Sequence, residues 1–333
     1  MSDTLLLYPL KFAPLYHARM WGGTMMSEYL HRDVPVQDTP IGEAWEIVDR
    51  PEAVSRVING ALTGWTLRQL METGGPDITG KTETDNRFPL IVKLIDADQR
   101  LSLQVHPDAA AAAALGDGAE AKTEMWYLLA HRPGARIFAG LTRRATRQRM
   151  RELLRTKDIE ELLQSHDSHV RDTYFLPAGT LHAIGGGNLL LEIQQNSNTT
   201  FRLSDWNRVG PDGQPRQLHI EQGMQAIQFV NRSSPRIAAA SDEPAHSRRL
   251  PLITHCPHFR VDELRLQSVW HDDTAATGSF HLLTAINEPL QITSCGVKTM
   301  AEPGETILVP FICGKYEIKS AGTYPALVVR VTL

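Results

Sequence analysis

The stretch Phe88 to Pro107, FPLIVKLIDADQRLSLQVHP, limits the possible folds most, because it ends with Gln104 and His106 on alternate residues. In an extended strand residues two apart share a face, so an amide oxygen and an imidazole point the same way. Leu101, Leu103 and Val105 are expected on the opposite, apolar face. One strand therefore carries half a metal site, and the chain must supply the rest from elsewhere. Two later segments hold suitable groups. Glu124 lies in AKTEMWYLL, a strand-like run in which Lys122 shares its face and Met125, Tyr127 and Leu129 take the other. His182 lies in LPAGTLHAIGGG, between a turn set by Pro177 and Gly179 and a second bend at Gly185 to Gly187. A Gln, His, Glu, His set drawn from three separate segments needs a β scaffold that folds those segments around one hollow.

Composition narrows what such a hollow serves. A chain of 333 residues predicts two domains. Its formal charge of −4 gives no general attraction to nucleic acid or an anionic membrane, so neither is an expected partner. Three cysteines, Cys256, Cys295 and Cys313, make no paired framework, which fits a reducing cytoplasm. No apolar run reaches the roughly 18 residues of a membrane span.

The rest of the chain reads as mainly β. Leu5 to Pro14, with two prolines, predicts an edge strand. Trp21-Gly22-Gly23 is read first as a buried ring beside a tight turn and second as the wall of a ligand pocket. Ile41 to Ile47 has strand alternation, and Thr66 to Glu72 predicts a short helix ended by Gly74-Gly75-Pro76. Asp108 opens a helix over the alanine run that stops at Gly116. From Arg143 to Gln164 the period becomes helical, with Met150, Leu153, Leu154, Ile159, Leu162 and Leu163 inward, so a small helical insertion is expected at about 143–165. Glu192 and Arg202 lie on two strands that a turn at Asn196 to Thr200 is expected to bring alongside one another. Asn231 to Arg249 reads as a linker, with a metal-binding domain at 1–230, the linker at 231–250 and an all-β domain at 251–333. Within the last, Gly304 to Pro310 echoes Thr173 to Pro177, yet no histidine follows Pro310 as His182 follows Pro177.

Taken together, IGEAWEI, FPLIVKLIDA, LSLQVHP, KTEMWY, LPAGTLHAIG and LLEIQQNSNTTFRLSDW resemble the class I mannose-6-phosphate isomerases in their short bacterial form, over roughly Leu6 to Phe229. The resemblance implies a double cupin, two β-jelly-roll domains with the first holding one divalent metal, usually zinc, through Gln104, His106, Glu124 and His182. It implies interconversion of mannose 6-phosphate and fructose 6-phosphate. The family's active-site arginine falls on Arg202, with Glu192, Lys122, Lys93 and Ser102 matching other polar groups of the pocket and Trp21 a further candidate for its wall. The sequence departs from the longer members at Ala121, where they carry a histidine, and at Thr123, which replaces a common proline.

The residues suit this chemistry on their own terms. Moving a carbonyl between C1 and C2 needs a base and a positive electrophile, since an enediol oxygen becomes negative. A shell with one formal negative charge leaves a divalent ion net positive. Oxygen and imidazole ligands suit zinc without excluding manganese, iron, cobalt or nickel. Arg202, Lys122 and Glu192 are the expected catalytic groups, and Arg202 or Lys93 the anchor for a phosphate dianion. A small sugar phosphate is the expected partner, and the chain is expected as a monomer or homodimer. Two other functions fit part of the pattern. A cupin oxygenase would want more imidazole around a redox metal than Gln104 allows, and a non-catalytic sugar-phosphate binding protein would not need Lys122 and Glu192 beside a full ligand set.

Overall fold

The computed structural model describes residues 5–81, 86–154, 158–210, 213–230, 233–240, 246–323 and 325–333. The chain divides into two compact units, one of Met1–Leu15, Trp45–Lys93 and Ala240–Leu333, the other of Tyr16–Ala44 and Leu94–Ala239. It passes from one to the other inside the strands Ile41–Ile47 and Leu90–Ala97. Both units are built on facing sheets of antiparallel strands, and among the described residues no sheet closes on itself into a barrel.

The unit holding residues 94–239 carries a five-stranded sheet in the order Leu163–Asp167, Arg136–Leu141, His182–Ile184, Leu103–Val105, Phe201–Ser204. Opposite it run Thr173–Leu176, Glu124–His131 and Asn188–Gln195, neighbours in a larger sheet. Side chains alternating off both sheets meet in one apolar layer: Ile137, Ala139 and Ile184 from the first face Trp126, Leu128, Tyr174, Leu176 and Leu190 from the second. Each fully buried residue of this kind contributes about 1.5–3 kcal/mol. On its outer side the five-stranded sheet presents Leu103, Val105, Phe138 and Leu203 to Met150, Ile159, Leu162, Met224 and Ile227. The strand Leu103–Val105 is thus apolar toward that outer layer and polar toward the interior, as its alternation predicts. Leu101, expected to share the outer face, lies ahead of the strand and joins the inner layer instead.

The helical segments show where local chemistry holds and where it yields. Asp108 caps Ala109–Leu115 by accepting from Ala111 N at 2.8 Å, and Gly116 ends the helix. Thr66 and Gln69 form a reciprocal capping box at the start of Leu67–Thr79. That helix does not stop at Gly74. Gly74 is non-helical and kinks the segment, after which Pro76 sits in a new first turn where its missing N–H costs nothing. The expected insertion resolves into a helix at Arg147–Leu153 and a 3₁₀ turn at Asp158–Leu162, while Leu163 and Gln164 begin a strand. Asn188–Gln195 and Phe201–Ser204 are not neighbours, contrary to expectation. The turn between them carries the chain from one sheet to the other, as a jelly-roll corner does.

In the other unit a six-stranded sheet, in the order Leu10–Lys11, Thr306–Val309, His281–Ala285, Ala326–Thr332, Arg260–Leu266, Arg248–Ile253, faces a four-stranded one, Trp270–Asp273, Lys315–Ser320, Leu290–Ser294, Val297–Ala301. Leu264, Leu283, Ile292, Ile307, Val309, Ile318 and Val328 fill the layer between them. Leu10–Lys11 is an edge strand, as its flanking prolines predict. In the segment expected as a linker, Arg236–Ile237 pairs with Thr173–Tyr174, and 231–232 and 241–245 lie outside the described residues.

Candidate active site

Three strands bring the ligand candidates together. His182 lies directly opposite Gln104 in the ladder between their strands, and Arg202 lies opposite Gln104 on its other side. Paired residues point to one face, so Gln104, His182 and Arg202 form a row across the inner surface of the five-stranded sheet. His106 follows Gln104 by two residues, and Glu124 opens the facing strand Glu124–His131. His106, Glu124 and His182 are all buried, and each offers a ligand atom within 4.8 Å of the others.

The hydrogen bonds around these groups fix what they present to the centre. Nδ1 of His106 is 2.8 Å from the Thr199 carbonyl, and Nδ1 of His182 is 2.8 Å from the Thr180 carbonyl. A carbonyl only accepts, so both Nδ1 atoms carry the proton and both Nε2 atoms present a lone pair. Those lone pairs face the Glu124 carboxylate, His106 Nε2 at 3.2 Å from Oε2 and His182 Nε2 at 3.3 Å from Oε1. Burial, reinforced by Lys122, pushes the His106 imidazole down to about 4, and burial lowers His182 too, so at neutral pH neither ring carries a second proton. Neither Nε2 has a hydrogen-bond partner, nor does Glu124 Oε1. Electron pairs facing one another without a proton between them repel unless a cation sits among them. This donor set fits a divalent ion, with the backbone carbonyls orienting each imidazole from behind.

Charged groups surround the cluster. Burial opposes the Glu124 charge, but Lys122, at 2.8 Å from Oε2, and the two imidazoles hold its carboxyl well below the usual range. Burial likewise opposes the Lys122 charge, and Glu124, Glu192 and Glu43 outweigh it and raise the ammonium. Glu43 is itself gripped by Arg19, Nε to Oε1 and Nη2 to Oε2, both at 3.0 Å. Glu192 is buried opposite Trp126, whose indole N–H donates to its Oε2 at 2.9 Å.

Arg202 is half-buried. Its guanidinium donates to the Gln217 carbonyl at 2.9 Å, and its buried Nε has no hydrogen-bond partner. Burial first, then Arg216 and Arg208, lower its affinity for its proton, with Asp205 opposing. Asp205 accepts from Arg208 at 2.5 Å and from Arg216 at 2.8 and 2.5 Å. Arg208 and Arg216 bond this one carboxylate and Arg202 lies within electrostatic reach of all three, so three guanidinium groups face a single negative charge and the corner is positive. Sequence reasoning found Arg202 but not Arg208 or Arg216. The signal was two arginines after Asp205, Arg208 in SDWNR and Arg216 in GQPRQ, whose spacing cannot show that both return to that carboxylate.

The remaining candidates are placed as follows. Ser102 is buried just ahead of the Leu103–Val105 strand. Trp21 is buried in the inner apolar layer, and its carbonyl accepts from Asp98 N and Gln99 N. Lys93 falls in the unit with residues 45–93, its ammonium 4.7 Å from the Trp45 ring centre.

Facing jelly-roll sheets around a buried His, Glu, His cluster whose donor atoms fit a divalent ion define a cupin-type protein. Residues 9–137 match the family described as phosphomannose isomerase type I, catalytic domain. Mannose-6-phosphate isomerase ManA of Bacillus subtilis is 32% identical over 93% of this chain and 96% of its own, and the probable mannose-6-phosphate isomerase GmuF of the same organism is 38% identical over 66% and 68%. The crystal structure of the mannose 6-phosphate isomerase from Bacillus subtilis superposes with a TM-score of 0.86 at 26% identity, covering 98% of this chain and 100% of the other. A putative mannosephosphate isomerase from Archaeoglobus fulgidus shares the fold at a TM-score of 0.76 and 18% identity, over 99% of both chains. The chain belongs to the type I phosphomannose isomerase family.

Proposed function

We propose that the chain interconverts mannose 6-phosphate and fructose 6-phosphate at a single divalent metal centre held by His106, Glu124 and His182, with Gln104 as the fourth ligand and zinc the first expectation. The observation that carries this is the pair of unprotonated Nε2 atoms turned onto one ionised carboxylate, all three side chains buried. A divalent ion bound there supplies positive charge to polarise a sugar oxygen.

The chain's own groups divide the remaining work. Arg202, with Arg208 and Arg216 around Asp205, fits the phosphate dianion, because the cluster carries two more positive charges than negative ones and Arg202 Nε is free to donate. Lys122 is held protonated by Glu124, Glu192 and Glu43, which suits it to stabilise negative charge on the enediol rather than to accept a proton. Glu192 is then the base: it takes the proton from C2 of the aldose and returns it to C1, while a hydroxyl proton passes from O2 to O1.

The test is turnover of fructose 6-phosphate by metal-replete protein in deuterated water. Mannose 6-phosphate carrying deuterium at C2 supports the proton-transfer route. Product without solvent deuterium leaves two routes, a proton returned by Glu192 before it exchanges and a hydride transfer, which the rate of Glu192→Gln separates, and no product at saturating substrate rejects the enzyme in favour of a sugar-phosphate binding protein.

A further inference from the structure

We propose that Trp126 is a positioning residue that fixes the Glu192 carboxylate for proton transfer, an inference that rests on the reading of Glu192 as the base. Trp126 lies directly opposite Glu192 in the ladder between Glu124–His131 and Asn188–Gln195, so the two side chains leave the sheet together on its inner face. The indole is fully buried, and its N–H donates to Glu192 Oε2 at 2.9 Å. A buried indole N–H needs an acceptor, and a carboxylate satisfies it with a charge-assisted bond. The same ring meets His182 edge-on, with centroids 5.2 Å apart at 85°, and packs beside Tyr174 at 6.4 Å. Trp126 also follows Glu124 by two residues and shares its face. One rigid ring thus touches a metal-ligand candidate and the proposed base, and ties the orientation of the carboxylate to the ligand set.

A carboxylate rotates about its last bond unless one oxygen is held. With Oε2 held by the indole, the rotation of the group about that bond is restrained. A base misplaced by about 1 Å can lose roughly 10²-fold in rate. Trp126→Phe keeps an apolar ring and removes the donor. In the metal-loaded full chain it is expected to lower kcat by about ten- to a hundredfold, with KM for mannose 6-phosphate and metal content per chain unchanged. Combined with Glu192→Gln, it is expected to cost nothing further in the residual turnover followed over hours, because the ring acts through the group already removed.

An unchanged kcat in Trp126→Phe overturns the proposal. So does a loss of the same size in both backgrounds, which is what a merely structural ring would give. Full activity in Glu192→Gln alone rejects the reading of Glu192 itself, an outcome distinct from either. Should Trp126→Phe lose its cooperative thermal transition, the bond is read in the chain with Trp126 intact. With ¹⁵N-labelled indoles, one of the six tryptophan N–H resonances is expected to move on Glu192→Leu, and six unmoved resonances overturn the proposal.

Discussion

The two jelly rolls place different chemistry at matching positions. In one, Glu124 pairs with Leu176, the residue before Pro177, and His182 lies five residues after that proline. In the other, His281 pairs with Val309, the residue before Pro310, and Lys315 lies five residues after it. His182 faces Gln104, and Lys315 faces Asp273. By register, Gln104, Glu124 and His182 correspond to Asp273, His281 and Lys315, and Ala275 stands where His106 would. A lysine, exposed here, thus stands at the register position of the buried His182 imidazole and offers no electron pair to a cation while it is charged. The surroundings have closed to match. His281 Nε2 is 2.8 Å from Thr277 Oγ1 and Nδ1 is 2.6 Å from the Tyr316 hydroxyl, so both ring nitrogens are satisfied by protein. The His106 and His182 rings each keep one nitrogen without a partner. A buried histidine thus marks a metal position only where its inner nitrogen is left over.

This contrast sharpens into measurements of decreasing size. His182→Ala is expected to lose both the bound ion and turnover, as read by elemental analysis and a coupled assay, whereas Lys315→Ala should change neither. Arg202→Ala is expected to lower turnover by roughly 10²- to 10³-fold while metal content stays at the wild-type level. A metal-depleted Arg202→Ala protein would break the separation between ligand row and anion corner.

The next expectation concerns pH. Burial pushes the His281 imidazole down from 6.5 to about 4. Between those values the unfolded chain binds more protons than the folded one. Stability from this group is fully present above pH 6.5 and is lost as pH falls toward 4, by at most about 3 kcal/mol. Urea unfolding of metal-loaded protein from pH 7.5 to 4.5 should show that slope, and His281→Gln should flatten it. Smallest is Thr277→Val, which removes the partner of His281 Nε2. It should cost about 1–3 kcal/mol with no effect on kcat.

Much of the site could be read from the chain. Gln104, His106, Glu124 and His182 stand in motifs whose spacing already assigns them to one face of a strand or to a tight turn, because strand period and turn chemistry are local. Sheet membership is not local. The turn at Asn196 to Thr200 was visible, but whether it forms a hairpin or a jelly-roll corner depends on which distant strands compete for the ladder, and Phe201–Ser204 pairs with Leu103–Val105 instead. The same limit hid the arginine corner and the Trp126 to Glu192 bond, both of which join residues through the fold alone. Helix ends showed the reverse. Asp108 and Thr66 cap as their side chains dictate, while Gly74 kinks Leu67–Thr79 without ending it, since the buried Gly75 and Ile78 beyond the kink remain packed.

The measurement that bears most directly on the metal centre is a chelation titration in which the ion content and the isomerase rate are read from each sample. Rate should fall in proportion to ion lost, reach zero when the single site per chain is stripped, and return when one equivalent of divalent ion is restored. Undiminished conversion of mannose 6-phosphate by protein stripped of its ion would contradict the account.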